Sequence, residues 1–406
     1  MRSWAIISLL VVTSSFSGCL GEEDGFVWPE PESWDCSIQG SYDLSCYKYL
    51  DGFSSPIASI NHPMGGEIWI VELSGKIFSW NGGEVSEIGD LGPRISTCHY
   101  EQGLLGLAFD EDFANSRKIL LSYVENGRPH DLDWDCDGPN ESDLILASAI
   151  IGDDGALDLA SIEVLMTIEQ PHRNHNGGHI LNIGDNQFLW GLGDGGGGSD
   201  PDGNGQDQGS RLGSILLFSF IDGSMSPVIE DPTGDPYVLH HGLRNPWRFD
   251  VDDQNRLWIA DVGQNCWEEV NLVAIEESAN FGWSDREGMH RFHDNGFTNE
   301  DGTCDVDEDE PPVAEGMTNP VGVYPHQGGN CSITGGFWMD WGPDDLRGGY
   351  LYGDFCSGSM WILKEENGSW SESYIGSSGG MIVGFGKGLG GELLAFHWTG
   401  EIVHIG

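Results

Sequence analysis

Basic residues are scarce in this chain of 406 residues, which carries 17 Lys and Arg against 66 Asp and Glu and has a formal net charge of −49. A nucleic-acid-binding surface is excluded, because phosphate contacts require clustered Lys and Arg and this surface would repel a polyanion. So many like charges must be screened for the chain to stay compact. The composition therefore predicts a protein that works at high salt or with bound divalent cations.

Long hydrophobic runs are also missing, except for one at the amino terminus. Residues 1–18 contain Arg2, an apolar stretch at 4–12 and then small residues, which is the pattern of a signal peptide rather than of a membrane span. Cys19 follows as in a lipoprotein cleavage site, and an ordinary signal peptide cut nearby is the alternative. We expect residues 19–49 to be an acidic, Cys-containing tether. We expect export to the periplasm or cell surface, with membrane contact only through a lipid on Cys19.

No two cysteines have the CxxC spacing of a zinc ribbon or a thioredoxin-like site. The chain has nine cysteines, and setting Cys19 aside leaves an even number. In an oxidising compartment this predicts four disulfides, whose connectivity the sequence does not determine. Pairing of neighbours is our hypothesis: Cys36–Cys46, Cys98–Cys136, Cys266–Cys304 and Cys331–Cys356.

The fingerprints of several enzyme classes are absent, namely the GxSxG elbow of serine hydrolases, the P-loop and the dinucleotide-binding motif. Helical periodicity is nearly absent as well, which predicts an all-β protein. The segments at 133–138 (DWDCDG) and 200–205 (DPDGNG) begin like EF-hand loops, but Leu144 and Arg211 stand where a bidentate glutamate is required. Calcium binding through a shorter loop and a solvated acidic turn both remain open for these segments.

What the chain does contain is a repeat. GEIWIVELSGKIFSW at 66–80 aligns without a gap with GELLAFHWTGEIVHI at 391–405, and each has two apolar strands joined by a Ser/Thr-Gly turn. A single hairpin cannot bury its apolar residues, whereas radial stacking of such units does so. The pattern predicts a six-bladed β-propeller with long inserted loops over residues 50–406, and a two-sheet sandwich is the alternative. Further copies, complete or partial, start at 117, 186, 255 and 349.

Seven segments, taken in order, resemble the glucose/sorbosone dehydrogenase family, the soluble quinoprotein aldose dehydrogenases, and the similarity runs from about residue 50 to the end. The segments are EQGLLGLAFDEDFA (101–114), NHNGGHI (174–180), GLGDGGGGSDPDGNGQ (191–206), GLRNPWRFD (242–250), IADVGQNCWEEVNLV (259–273), NFGWSDREG (280–288) and YLYGDFCSG (350–358).

This resemblance implies a propeller that holds pyrroloquinoline quinone (PQQ) over its central face, with Ca²⁺ polarising the reactive carbonyl of the quinone. The C1 hydroxyl of an aldose sugar would be oxidised to a lactone, and the electrons would pass to an external acceptor. His175 is implied as the base, a role that suits an imidazole, and Gly177 and Gly178 would let the backbone approach a cofactor closely. His172, His175 and His179 could instead suggest a metal site, but their spacing would need a helix that Asn-Gly-Gly opposes.

The resemblance assigns further residues to the same face. Arg244 would contact the quinone and support the negative charge that develops on it, and Asn245 would orient this arginine. The main-chain carbonyls of Gly263 and Gln264 would hold the calcium, because carbonyl oxygens suit a hard cation. The remaining cofactor-binding positions are Glu101, Gln102, Asp194 and Thr334.

The chain departs from the family pattern at the cofactor. Glu101 occupies the position of a family Gln, Cys356 stands roughly where a Lys would fall, and the approach to the sixth blade has Lys387 but no Arg. The quinone carries three carboxylates, and burying carboxylates without cations is costly. The alternative function is therefore a non-catalytic extracellular propeller that binds sugars or proteins, as the quinone-free hedgehog-interacting proteins of this family do.

Overall fold

The computed structural model describes residues 32–126, 142–230, 232–306 and 316–406, and β-strands make up almost all of their regular structure. The strands form six antiparallel sheets of four or five strands and one two-stranded ribbon. None of the described segments is a helix with the length and hydrophobicity that crossing a bilayer requires.

Each large sheet is one blade, built mainly from strands that follow one another along the chain. Blades 1 to 3 contain β4 (Pro56–Asn61), β5 (Ile68–Glu72), β6 (Lys76–Trp80) and β7 (Val85–Asp90); β8 (Leu104–Phe109), β9 (Lys118–Val124), β10 (Leu144–Ile151) and β11 (Leu157–Ile168); and β12 (Ile180–Gly184), β13 (Gln187–Leu192), β14 (Ser214–Ile221), β15 (Ser224–Pro227) and β16 (Val238–His241).

Blades 4 to 6 follow the same plan and also take in the first strands of the described chain. They contain β17 (Pro246–Val251), β18 (Arg256–Asp261), β19 (Trp267–Ala274) and β22 (Gly322–Pro325); β23 (Phe337–Trp338), β24 (Gly349–Gly353), β25 (Ser359–Glu366), β26 (Ser369–Ser377) and β2 (Ser37–Ile38); and β27 (Ile382–Lys387), β28 (Leu393–His397), β29 (Ile402–Ile405), β3 (Cys46–Leu50) and β1 (Glu32–Ser33). The ribbon is β20 (Arg286–Glu287) and β21 (His290–Arg291), and the helical segments are α1 (Phe113–Ser116) and 3₁₀ turns at Gly92–Arg94 and Asp344–Leu346.

The innermost strands of neighbouring blades contact each other around a common axis. Contacts join β4 to β8, β8 to β12, β12 to β17, β17 to β23, and β27 back to β4. Blades 5 and 6 share a hydrophobic cluster in which Leu351 and Ile362 pack with Phe385 and Ile405. The six blades therefore close a ring, which confirms the predicted propeller and rules out a two-sheet sandwich.

The repeat copies found in the sequence coincide with one structural position. The copies correspond to β5, β9, β13, β18, β24 and β28, which are the second strands of the six blades counted from the axis. These strands are almost completely buried. Because neighbouring blades cover both faces of the second strand, most of its residues are apolar, and this makes the repeat visible.

The ring is closed by a strand from the amino-terminal side of the chain. β3 pairs with β29 as the fourth strand of blade 6, with Cys46 opposite Ile405 and Tyr47 opposite His404. The boundary expected at residue 50 thus falls on the last residue of β3, and the ring includes residues expected to belong to the tether. Pairing of two distant segments in one blade leaves no sequence pattern, whereas it removes an open sheet edge.

Three of the four predicted disulfides are confirmed, namely Cys36–Cys46, Cys266–Cys304 and Cys331–Cys356. Cys136 lies outside the described residues, so the Cys98–Cys136 pairing stays a prediction. The predicted signal peptide, Cys19 and the acidic segment 133–138 also lie outside them.

Candidate active site

A cavity of about 450 Å³, which we call the axial site, lies where the innermost strands begin, and blades 2 to 6 all contribute to its wall. Most of the residues predicted for the catalytic, cofactor and metal roles line it, although they are distant in the sequence. These residues are Glu101, His175, Arg244, Asn245, Gly263, Gln264 and Thr334.

His175 is held in the axial site by a buried carboxylate. Its Nδ1 lies 2.7 Å from Oδ1 of Asp194, and only 4 % of His175 and 1 % of Asp194 are exposed. Asp194 does not line the cavity, and its Oδ2 accepts a hydrogen bond of 2.8 Å from the indole of Trp283. A carboxylate on Nδ1 fixes the ring and directs the other nitrogen, Nε2, for proton transfer. Nε2 has no hydrogen-bond partner among the described residues.

The backbone at His175 is strained, with φ of 56°, and neighbouring groups hold it there. The amide of His175 donates to Oε2 of Glu101 at 2.6 Å, and the amide of Gly177 donates to Oδ1 of Asn245 at 3.0 Å. Gly178 has φ of 94°, and a Cβ there would lie 2.4 Å from Cβ of Leu105. Glu101 and Asn245 therefore position the turn that presents the imidazole.

Arg244 brings an unpaired positive charge to the same cavity. It is 9 % exposed, its Nη1 donates to the carbonyl of Val262 at 3.0 Å, and its buried Nε has no hydrogen-bond partner. Within the described chain no carboxylate lies within ion-pair distance of its guanidinium, which instead sits 5.5 Å from the ring centre of Trp283. A buried cation with an unsatisfied donor favours an anionic ligand at this position.

A buried aspartate fixes the backbone of Arg244 and Asn245. The two carboxylate oxygens of Asp261 accept the amide hydrogens of Arg244 and Asn245 at 2.9 and 2.7 Å. Burial raises the pKa of the Asp261 carboxyl above its ordinary value, even though these hydrogen bonds and the nearby guanidinium oppose the change. Asp261, at the end of β18, thus fixes the position of the two residues that precede β17.

The predicted calcium ligands, Gly263 and Gln264, lie in a turn whose amides are held by the carboxylate of Glu287. The amides of Gln264, Asn265, Cys266 and Trp267 all donate to Oε1 of Glu287, at 2.6 to 3.3 Å. The carbonyl oxygens of Gly263 and Gln264 accept no hydrogen bond from any described residue. Free carbonyls on a turn whose amides are bound elsewhere suit a hard cation.

The remaining wall of the axial site is neutral and largely aromatic. Thr334 is 3 % exposed and its Oγ1 has no hydrogen-bond partner, so it can bond a ligand. Trp247, Phe355 and Trp398 line the same wall, together with the Cys331–Cys356 disulfide. Arg244 is the one Lys or Arg among the lining residues, and Lys387 lines a different cavity. The described wall of the axial site therefore lacks the cations that the family pattern would place near Cys356 and in the approach to the sixth blade.

Gln102 does not line the axial site, and neither do His172 and His179, the two histidines that flank His175 in the sequence. Gln102 is fully buried and bonds to Ser96 Oγ at 2.7 Å, so its side chain does not reach the lining. His172 is largely exposed and pairs with Asp202 at 3.2 Å, and the Nδ1 of His179 accepts the amide hydrogen of Phe249. The described residues contain no cluster of His, Cys, Asp or Glu that could hold a metal ion.

The acidic segment at 200–205 is an ordinary capped turn. The carboxylate oxygens of Asp200 accept the amide hydrogens of Asn204 and Gly205 at 2.9 and 3.0 Å. This is the geometry of an Asp that caps a turn.

Sequence reasoning missed Trp283 and Glu287, which support the site without lining it. Both belong to the NFGWSDREG segment, so the motif was noticed but no role was assigned to these side chains. Trp283 contacts both the carboxylate behind His175 and the guanidinium of Arg244. Nothing in the one-dimensional pattern connects position 283 to positions 194 and 244, because a long loop brings them together.

A closed six-bladed ring with a histidine–carboxylate pair and an arginine above its axis defines a quinoprotein-like sugar dehydrogenase fold. The chain belongs to the glucose/sorbosone dehydrogenase family, whose model matches residues 53–344.

Curated relatives agree with this assignment. The chain is similar to the HIPL2 protein of Arabidopsis thaliana, with 27 % identity over 404 residues that cover 83 % of this chain and 54 % of the relative. It is also similar to the human (Homo sapiens) hedgehog-interacting protein, with 26 % identity over 318 residues that cover 72 % of this chain and 40 % of the relative. The chain thus spans about half the length, or less, of these curated relatives.

The solved structure of the PQQ-bound form of aldose sugar dehydrogenase from Streptomyces coelicolor has the same fold. It superimposes with a TM-score of 0.67 and 20 % identity, over 89 % of this chain and 98 % of that chain.

Proposed function

We propose that the protein is an exported quinoprotein that oxidises the C1 hydroxyl of an aldose sugar to a lactone and passes the electrons to an external acceptor. The observation that carries the proposal is the combination found in the axial site. A buried carboxylate holds Nδ1 of His175, leaving Nε2 without a partner, and an unpaired Arg244 lines the same cavity. Family membership and the PQQ-bound structural neighbour support it.

The residues of the axial site include groups that could hold a quinone and groups that could hold a cation. Nε of Arg244 and Oγ1 of Thr334 are buried donors without partners, and the carbonyls of Gly263 and Gln264 are free acceptors. Arg244 and Thr334 would hold PQQ, and the two carbonyls would hold Ca²⁺. When bound, the quinone supplies a hydride acceptor and the calcium makes it more electrophilic.

The protein's own groups provide the proton chemistry. Nε2 of His175 takes the proton from the C1 hydroxyl, and Asp194 stabilises the imidazolium that forms by accepting the hydrogen on Nδ1. Trp283 holds Asp194 through its indole, so the carboxylate cannot turn away from the imidazole. The guanidinium of Arg244 would stabilise the negative charge of a reduced cofactor in the axial site.

Reconstitution tests the proposal directly. The purified protein is loaded with PQQ and Ca²⁺, glucose or another aldose is added, and reduction of a dye is followed. We expect turnover and a rise in melting temperature that needs both cofactors, because a ligand bound only by the native state stabilises it. No turnover together with no cofactor-dependent rise would reject the enzyme.

A pair of histidine variants tests the assigned base. His175→Ala should lower the rate by at least about 10²-fold, because general base catalysis contributes roughly that much or more. His172→Ala is the matched control, since His172 lies in the same segment but is largely exposed and pairs with Asp202. A His175→Ala protein with full activity would reject the base while leaving the enzyme class standing.

A non-catalytic binding module is the second candidate, and one observation favours it. Among the described residues, Arg244 is the one Lys or Arg that lines the axial site, so two of the three PQQ carboxylates would lack a cation from them. Calorimetry with aldoses distinguishes the two. Binding of a sugar to the axial site without turnover in the presence of PQQ and Ca²⁺ favours the module.

We further propose that export precedes folding and that a lipid on Cys19 holds the protein at the outer face of a membrane. The three disulfides among the described residues support an oxidising compartment. A Cys19→Ser variant should move from the membrane fraction to the soluble exported fraction, and unchanged fractionation would reject the lipid.

A further inference from the structure

A second cavity, which we call the lower cavity, lies further along the innermost strands than the axial site. It has a volume of about 380 Å³ and shares no lining residue with the axial site. All six blades contribute to its wall, through β4, β8, β12, β17, β23 and β27. Its wall includes the exposed residues Asn61 and Pro63, so the cavity reaches solvent at this end.

The charge of the lower cavity is opposite to that of the protein. The chain has 66 acidic and 17 basic residues, yet the lining contains Arg248 and Lys387 and no carboxylate. A cavity whose described lining holds two of the few cations and none of the many acids favours an anionic ligand. The proposed function of the axial site uses neither of these cations.

Arg248 is a buried cation without a counter-ion. It is 7 % exposed, its Nη1 donates to the carbonyl of Trp247 at 2.8 Å, and its Nη2 has no hydrogen-bond partner. Burial lowers the pKa of Arg248 to about 9. A charge in this situation is costly unless a ligand compensates it.

The acidic residue on the same strand does not neutralise Arg248. The carboxylate of Asp250 accepts the amide hydrogens of Trp338, at 2.8 Å, and Val251, and it makes no ion pair within 4 Å of any described cation. The backbone at Gly335 packs against the arginine, since a Cβ there would lie 2.7 Å from Cβ of Arg248. The local structure therefore makes room for the arginine without supplying an acid.

Lys387 lies across the cavity from β17, at the end of β27. Its ammonium sits 5.3 Å from the ring centre of Trp341, and no described carboxylate lies within ion-pair distance. Blades 4 and 6 thus each bring one cation to the lower cavity, on either side of blade 5.

The rest of the wall is mainly apolar and aromatic. Small-molecule sites commonly combine such a wall with a few placed polar groups, in a volume of about 300–1,000 Å³. An inorganic ion would leave most of this wall without a partner, whereas an organic acid would use both the wall and the cations. The apolar lining includes Ile57, Leu107, Leu181, Phe337 and Phe385.

We propose that the lower cavity binds a small organic carboxylate, whose carboxylate group pairs with Arg248 and Lys387 and whose apolar body contacts the aromatic wall. The site is separate from the axial site, so it does not depend on the proposed enzyme.

Calorimetric titration of the purified full-length protein tests the proposal, with phenylacetate, benzoate and hexanoate as probes at constant ionic strength. Phenylacetamide is the matched neutral probe, because it differs from phenylacetate only in the charged group. We expect one carboxylate per chain and at least about tenfold weaker binding of the amide. Chloride and phosphate are titrated in parallel and should bind more weakly than the organic acids.

Two variants locate the site, and one exposed cation serves as the control. Arg248→Met and Lys387→Met should each weaken phenylacetate binding at least about tenfold, because each removes one charge from the pair. Arg347→Met should keep the affinity, since Arg347 is more than half exposed and lies outside both cavities. Arg248→Met should also keep or raise the melting temperature, since it removes an uncompensated buried charge.

Several outcomes would overturn the inference. These are equal affinity for the acid and the amide, full affinity in both cavity variants, or no binding of any of the three acids at millimolar concentration. Tighter binding of chloride or phosphate than of the organic acids would reject the ligand class. If Arg248→Met does not fold, the partly exposed Lys387 still provides the test.

Discussion

At the scale of single residues, the axial site depends on buried carboxylates that do not line its cavity. Asp194 holds the imidazole of His175, Asp261 holds the backbone of Arg244, and Glu287 holds the turn that begins at Gln264. Each of these acids accepts backbone or ring N–H groups, which is how a carboxylate can be buried without a paired cation. Residues outside the cavity wall therefore decide how the groups inside it are oriented.

Asp194→Asn should lower sugar oxidation by about 10²-fold or more with little loss of stability, because an amide at this position no longer fixes the Nδ1–H tautomer of His175. Asp202→Asn is the matched control, since Asp202 also pairs with a histidine but on the surface. The rate with glucose and the ¹⁵N shifts of the His175 ring are measured. An unchanged tautomer and an unchanged rate would show that Asp194 is not the positioning group.

Asp250 should make stability depend on pH, because burial raises the pKa of its carboxyl from 3.8 to about 7. Between these values the native state holds a proton that the unfolded chain releases, so the free energy of unfolding falls as pH rises from about 4 to about 7. Asp250→Asn should flatten this slope. Urea unfolding across the range measures it, and an identical slope in the variant would contradict the assignment.

At the scale of elements, loops supply most residues of the axial site, and strands build the ring of blades. The second strands of the blades are mainly apolar, whereas Glu101, His175, Gly263 and Gln264 lie in connections outside the strands. The amides of residues 264–267 all donate to Glu287, so one buried carboxylate shapes this turn. The rigid ring sets where such loops start and end, and single buried acids set their conformation.

Glu287→Ala should cost about 3 kcal/mol of stability, because it leaves four amides of the turn without an acceptor. It should also abolish the rise in melting temperature on adding PQQ and Ca²⁺ together, whereas Glu287→Gln, which retains one acceptor oxygen, should keep part of it. Glu366→Ala, at the exposed end of β25, is the control. Calcium stabilisation that survives in Glu287→Ala would move the cation site elsewhere.

At the scale of the whole molecule, an acidic exterior surrounds an axis with basic groups. The net charge is −49, while Arg244 lines the axial site and Arg248 and Lys387 line the lower cavity. Repulsion among surface carboxylates destabilises the compact state, and the ring has to be held against it by its apolar second strands, its disulfides and the pairing of β3 with β29. Cations near the axis concentrate anions where the surface would repel them.

Salt should therefore stabilise the protein. Raising NaCl from about 0.1 M to about 1 M should raise the melting temperature by roughly 5 °C or more, because it shortens the Debye length from about 10 Å to about 3 Å. The same series near the isoelectric point of about 4.1 is the control, since the net charge there is close to zero and the gain should shrink. A melting temperature that does not respond to salt near neutral pH would contradict the role given to charge repulsion.

The sequence alone determined the six-bladed ring, because the buried second strand of every blade is largely apolar and so recurs visibly. It also indicated His175 and Arg244, through short motifs, and three disulfides, through the order of the cysteines.

Only the tertiary structure decided which residues support these groups. Trp283, Glu287 and Asp261 act across long loops, the closing strand β3 pairs with the opposite end of the chain, and Lys387 lies in the lower cavity rather than beside Arg244. Such contacts depend on where the ring places each loop, and a contact between positions far apart in the chain leaves no periodicity in the sequence.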